Sequence, residues 1–181
     1  AVADTDHDPY PEITVMSNIK VNGKPIGNLG HYEAEWHTDM SYNEKTPVGS
    51  LLYSLEVPPE GGDTGFSNMY AAFETLPPEL KRAMIGKSCK HDSSRNSVGD
   101  LRKGFSDVTD PREAPGAVHP IVRTHPVTRR NALFLGRRRN AYVVGLPLAE
   151  SEDLLNRLWA HASKPEFTWY QGWKVGDLVM W

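Results

Sequence analysis

Glu35-Trp36-His37-Thr38-Asp39-Met40-Ser41-Tyr42 sets a histidine and a carboxylate two residues apart. On an extended segment, side chains at i and i+2 point to the same side, so His37 and Asp39 can reach one metal ion together. Two histidines and one carboxylate on one face of a metal make the facial triad of non-haem Fe(II) centres, with the other positions open. The octapeptide therefore offers two of three ligands. Spacing by itself does not single it out, because His31-Tyr32-Glu33 repeats the pattern just upstream and the chain holds seven histidines.

Working outward, Ile13-Thr-Val-Met16 and Ser50-Leu-Leu-Tyr-Ser-Leu-Glu-Val57 read as strands. Pro58-Pro59 and the Gly61-Gly62 turn close the second. His119-Pro-Ile-Val-Arg-Thr124 and Asn131-Ala-Leu-Phe-Leu135 form a predicted hairpin around Pro126-Val-Thr-Arg-Arg130. Phe167-Thr-Trp-Tyr170 and Asp177-Leu-Val-Met-Trp181 complete the predicted strands.

Leu154, Leu155, Leu158, Trp159 and Ala162 form an apolar stripe of helical period behind Ser151, which reads as the N-cap. Met69, Ala72, Phe73 and Leu76 mark a short helix stopped by Pro77-Pro78, and residues 79–85 a further one ending at Gly86. Residues 91–115, rich in Ser, Asp, Gly and Arg, read as a long excursion over the site, a lid or mobile loop. Strands interrupted by helices predict an α+β domain on a β-sandwich or barrel-like core.

Composition excludes more than it selects. At 181 residues the chain suits a single domain with a core of its own. Lys+Arg 20 against Asp+Glu 23 gives no global attraction to nucleic acid or to an anionic membrane. Cys89 stands alone, which rules out an internal disulfide and suits a reducing, cytoplasmic setting. No run approaches the ~18 apolar residues of a membrane span. The basic cluster Arg129, Arg130, Arg137, Arg138 and Arg139 reads first as a solvated face and second as a site for an anionic substrate or partner.

The order of the motifs carries a family resemblance. Trp36-His37-Thr38-Asp39, Pro47, Gly61-Gly62-Asp63-Thr64, His119-Pro-Ile-Val-Arg-Thr-His-Pro126 with Ala132-Leu-Phe134, and Trp173 through Gly176-Asp177 to Trp181 follow one another as in the taurine dioxygenase and dichlorophenoxyacetate dioxygenase family. The chain resembles these Fe(II)- and 2-oxoglutarate-dependent oxygenases over roughly residues 7 to 181.

That resemblance implies a double-stranded β-helix, or jelly-roll, core with flanking helices. It implies His37 and Asp39 as iron ligands, in preference to His31 and Glu33. Thr64, otherwise a turn residue closing Glu60-Gly-Gly-Asp63, matches the threonine that binds a 2-oxoglutarate carboxylate. His7 and Tyr10, in His7-Asp-Pro-Tyr-Pro11, match the pair that contacts substrate, with a Pro-rich structural loop as the other reading. The implied reaction is hydroxylation of a small organic anion (a sulfonate, sulfate ester or aryloxyalkanoate) by dioxygen, with release of succinate and carbon dioxide. A homodimer or homotetramer is the implied assembly. His119, His125, His91 and His161 carry no motif of the site, and His161 reads as a surface residue.

Two departures qualify the match. Family members usually carry Gly where this chain has Arg129, so a turn with positive φ is not expected there. Their distal His ligand and the Arg that pairs with 2-oxoglutarate follow beyond the position of Trp181. The expectation is therefore a domain incomplete at its C-terminus and N-terminus. The alternative is a catalytically silent β-helix module that binds metal or serves as a scaffold.

Overall fold

The computed structural model describes residues 13–29 and 35–181. His7, Tyr10, His31 and Glu33 lie outside them.

In chain order the strands and helices are β1 (Met16–Ser17), β2 (Lys20–Val21), β3 (Lys24–Pro25), β4 (Asn28–Leu29), β5 (Leu51–Tyr53), β6 (Thr64–Ser67), α1 (Met69–Glu74), α2 (Pro78–Met84) and β7 (Ser88–Lys90). There follow β8 (Val118–Pro120), β9 (Val122–Thr124), β10 (Asn131–Leu133), β11 (Tyr142–Val143), α3 (Leu148–Ala162), β12 (Thr168–Gln171) and β13 (Leu178–Met180). The ladders are short and antiparallel apart from the parallel β1–β4 pair, and one three-stranded sheet has the order β11-β7-β8. The α+β class expected from the sequence is what these residues form.

The longest helix, α3, organises the core. Leu154, Leu155 and Leu158 recur at helical spacing and are buried against Phe73 and Leu76 of the α1 region, Leu80 and Met84 of α2, and Leu133, Leu135 and Val143 of the strands. Each fully buried leucine contributes about 1.5–3 kcal/mol by removal from water.

Two expectations for α3 are corrected. Ser151 is not its N-cap: the helix starts at Leu148, after Pro147. Ser151 is fully buried, and its hydroxyl accepts the Val143 amide at 2.9 Å, satisfying a strand group instead of a helix end. His161 is not on the surface. It lies three residues after Leu158 on the buried stripe, where its Nε2 meets the Ala72 carbonyl at 3.0 Å and Thr75 Oγ1 at 3.3 Å.

The hairpin of β9 and β10 forms with Thr124 opposite Asn131 and Val122 opposite Leu133. Its turn corrects a third expectation. Arg129 adopts φ 61°, with its amide bonded to the His125 carbonyl, so a non-glycine residue takes the left-handed position. Among the described residues no helix is long and apolar enough to cross a membrane.

Candidate metal and cosubstrate site

His37 and Asp39 sit where their segment pairs with residues 136 and 137: His37 forms an antiparallel bridge with Arg137, and the Thr38 amide donates to the Gly136 carbonyl at 2.8 Å. The two side chains meet, with His37 Nε2 3.2 Å from Asp39 Oδ1. His37 Nδ1 lies 2.7 Å from the Glu35 carbonyl, which can only accept, so the ring proton is on Nδ1. With Nε2 protonated as well, the pair is a hydrogen-bonded ion pair; with Nε2 bare, both atoms present lone pairs that a shared cation would satisfy.

Two donors bound at right angles to one metal, at about 2.1 Å each, stand roughly 3 Å apart. The observed separation fits that geometry. The anchoring of the far ring nitrogen on a carbonyl is the outer-shell arrangement that fixes a metal-binding histidine's tautomer.

Asp39 is oriented from its other oxygen. Ser50 Oγ donates to Oδ2 at 2.9 Å and Trp181 Nε1 at 3.2 Å, leaving Oδ1 toward His37. Residues 50 and 181 are brought there by the ladder of β5 and β13, since their backbones exchange hydrogen bonds at 2.9 and 3.0 Å. The His37 contact, with support from Ser50 and Trp181, holds the Asp39 carboxyl below the usual carboxylate value, against the opposing pull of its partial burial.

Thr64 opens β6, opposite Gln171 of β12. Its hydroxyl oxygen accepts Trp173 Nε1 at 2.9 Å, which leaves the hydroxyl proton for another acceptor. The Trp36 ring, next to His37, lies against Gly65, where an added Cβ would come within 2.8 Å of it. That close approach requires glycine and ties the histidine segment to the strand of Thr64.

Three residues of this arrangement escaped the sequence reading as site residues: Ser50, Trp181 and His91. The first two act through the ladder, a long-range pairing no local pattern marks. His91 is 1% exposed and stacks on Phe134 at 5.3 Å, with His119 edge-on at 5.2 Å. Neither ring nitrogen of His91 has a partner among the described residues. It backs directly on Gly136, whose carbonyl holds Thr38.

His119 and His125 have structural partners: His119 Nε2 donates to the Asn43 carbonyl, and His125 Nδ1 accepts two amides of the Arg129 turn. Residues 91–115 carry little regular structure, yet Asp92, Ser94, Arg95 and Ser97 are buried, and the Ser97 carbonyl accepts the Glu35 amide at 3.2 Å. The excursion thus lies against the histidine segment. Among the described residues no group of three or more His, Cys, Asp or Glu side chains is placed to hold a metal; His37 and Asp39 form a pair.

Comparison with known proteins gives a consistent result. A profile described as "Taurine catabolism dioxygenase TauD, TfdA family" matches residues 2–181. The chain is 36% identical over 183 residues to an alpha-ketoglutarate-dependent 2,4-dichlorophenoxyacetate dioxygenase of Burkholderia sp. (strain RASC), covering 95% of this chain and 59% of that one. It is 30% identical to an alpha-ketoglutarate-dependent sulfate ester dioxygenase of Pseudomonas putida, over 95% of this chain and 59% of the relative. Among solved structures, AAD-2 in complex with Mn(II) and N-oxalylglycine superposes with TM-score 0.69 and 35% identity, over 82% of this chain and 58% of that one. The chain spans about three fifths of the length of these relatives.

Proposed function

This chain belongs to the taurine catabolism dioxygenase TauD, TfdA family, and on that premise we propose that it serves an Fe(II)- and 2-oxoglutarate-dependent dioxygenase that hydroxylates a small organic anion. His37 Nε2 and Asp39 Oδ1 are the proposed metal donors, and Thr64 the proposed partner of a 2-oxoglutarate carboxylate. The observation that carries the reading is that His37 Nε2 and Asp39 Oδ1 face each other at 3.2 Å, each side chain anchored from behind. Iron(II) held there would supply dioxygen activation, with 2-oxoglutarate oxidised to succinate and carbon dioxide as the substrate C–H bond is hydroxylated.

The protein's own part is positioning. The Glu35 carbonyl keeps His37 in the tautomer that exposes Nε2. Ser50 and Trp181 occupy Oδ2 of Asp39, so that Oδ1 alone is presented. Trp173 donates to the Thr64 oxygen, which leaves the threonine proton for the proposed anion. Residues 91–115 form a wall beside the histidine segment and, in this proposal, cover it when substrate is bound. The jelly-roll core is the proposed frame, and a dimer or tetramer the proposed assembly.

The proposed substrate is an aryloxyalkanoate, sulfonate or sulfate ester; the first and last are supported by the names of the two relatives above. A cytoplasmic setting belongs to the same proposal. The lone Cys89 offers no partner for an internal disulfide, which suits a reducing compartment, and its thiol, pushed up to about 12 by burial, is protonated and unreactive.

The test supplies the intact protein with Fe(II), ascorbate, 2-oxoglutarate and phenoxyacetate, methanesulfonate or an alkyl sulfate, and measures succinate. Substrate-stimulated succinate, abolished by His37→Ala and by Asp39→Ala, is expected. Succinate absent with every substrate, from protein shown to be folded, would defeat the proposal and favour a silent scaffold.

A further inference from the structure

We propose that Arg102 and Arg137, stacked over the ring of Tyr42, form the subsite for the oxyanion of the organic substrate, its carboxylate, sulfonate or sulfate. The inference rests on the dioxygenase reading above and names the groups that would recognise the anion.

Three observations carry it. The first is convergence. The Arg102 guanidinium lies 4.2 Å and that of Arg137 5.8 Å from the centre of the Tyr42 ring, so two cations from distant parts of the sequence share one aromatic platform. The second is the lack of a counter-charge. Arg130 and Arg138, from the same basic run, each bond a carboxylate, Glu74 and Glu152 respectively. Among the described residues neither Arg102 nor Arg137 has a carboxylate within ion-pair distance, and Arg137 Nε is buried without a partner. Two like charges gathered on half-buried groups are unfavourable unless an anion joins them.

The third is position. Arg137 is the bridge partner of His37, and residues paired across an antiparallel bridge carry their side chains on the same face. The guanidinium therefore leaves the backbone on the side of the candidate metal donors. Asp39 and Asp92 bear on its charge from nearby, without direct contact. Arg137 Nη1 is anchored on the Arg95 carbonyl at 2.6 Å, and the Arg102 amide on the Ser94 carbonyl at 2.7 Å, so both are held by the 91–115 excursion. Arg95 itself is not part of the subsite, being engaged by the Gly99 carbonyl and Asp107. An anion held here sits beside the donors, with its carbon chain free to extend toward them.

The test is binding without turnover, so failure of the oxygenase reading leaves it interpretable. Phenoxyacetate, methanesulfonate and 2-oxoglutarate are titrated separately into metal-free protein by calorimetry, for wild type, R102Q, R137Q and, as a remote control, R130Q. Each Arg→Gln change at the subsite is expected to weaken phenoxyacetate or methanesulfonate at least about tenfold, the worth of a charged hydrogen bond, with R130Q unchanged. In wild type, phenoxyacetate should also protect Arg102 and Arg137 from phenylglyoxal, read by peptide mass, while Arg130 reacts. This arm needs no variant to fold. Equal weakening by all three variants, no protection, or an effect confined to 2-oxoglutarate would overturn the assignment, the last by giving the pair to the cosubstrate.

Discussion

Gly136→Ala is the sharpest probe of how the candidate site is held. Gly136 has φ +69°, and an alanine Cβ would fall 2.2 Å from His91 Nδ1, 2.6 Å from Cγ and 2.7 Å from Cε1. The left-handed backbone costs a residue with a side chain about 1–2 kcal/mol. The overlap adds about 1–3 kcal/mol, as for overpacking elsewhere, because His91 is 1% exposed and stacked on Phe134 and has nowhere to move. The sum, roughly 2–5 kcal/mol, is a large part of the 5–15 kcal/mol typical of a domain. Urea unfolding followed by tryptophan fluorescence measures it. In the double variant with His91→Ala the overlap disappears and the backbone cost stays, so the two changes should couple favourably by about 1–3 kcal/mol. A second reading follows from the Gly136 carbonyl, which receives the Thr38 amide: Gly136→Ala should weaken Mn(II) binding by about tenfold or more. Additivity within about 0.5 kcal/mol, together with unchanged Mn(II) affinity, would falsify the view that His91 and Gly136 jointly set the His37–Asp39 segment.

If Thr64 binds 2-oxoglutarate as proposed, Thr64→Val should raise the KM for it roughly 5- to 30-fold, whereas Thr64→Ser keeps it near wild type; equal effects from both would count against a hydroxyl contact. Burial holds the His91 imidazole down at about 3, with nearby His119 and Arg123 adding to the effect, against an ordinary ~6.5 in the unfolded chain. The unfolded chain therefore takes up the proton first as pH falls, and the contribution to stability is full above about pH 6.5 and lost between there and about 3. At pH 5 the loss is about 2 kcal/mol relative to pH 8, and urea unfolding of His91→Asn at the two pH values should show that part of the pH dependence gone. Arg129→Gly relieves φ 61° on an exposed turn and should stabilise by about 0.5–1 kcal/mol after the added freedom of the unfolded chain is subtracted; a lowered melting temperature would refute this.

What the sequence made legible follows the range of the interactions concerned. The helical stripe of α3 and the β9–β10 hairpin were readable because their periodicity and turn residues are local. The start of α3 was not, since the Ser151 hydroxyl is claimed by the Val143 amide, a tertiary demand that overrides a good capping residue. His161 carries a polar ring, so composition favours the surface, yet it falls on the Leu154–Leu158 face and is buried there against the Ala72 carbonyl. Arg129 was misjudged because glycine is preferred at positive φ, and preference is not exclusion. At the site, His37, Asp39 and Thr64 were marked by motif order. The partners that orient Asp39 came from elsewhere in the chain, Ser50 and Trp181 through the β5–β13 ladder, and so did the gathering of Arg102 and Arg137 on the Tyr42 ring.

That division bears on how the site forms. The hydrogen bond from Trp181 to Asp39 joins positions 142 residues apart in sequence, and Ser50, which reaches the same oxygen, is paired through its backbone with Trp181. Full support of Asp39 from behind thus involves one of the longest loop closures among the described residues, which is entropically unfavourable until packing offsets it. A cation bound by Nε2 and Oδ1 would act in the same direction as that closure, favouring the state in which residues 50 and 181 are paired. Metal affinity and the stability of the β5–β13 ladder are then two measures of one equilibrium, linked through a single carboxylate oxygen.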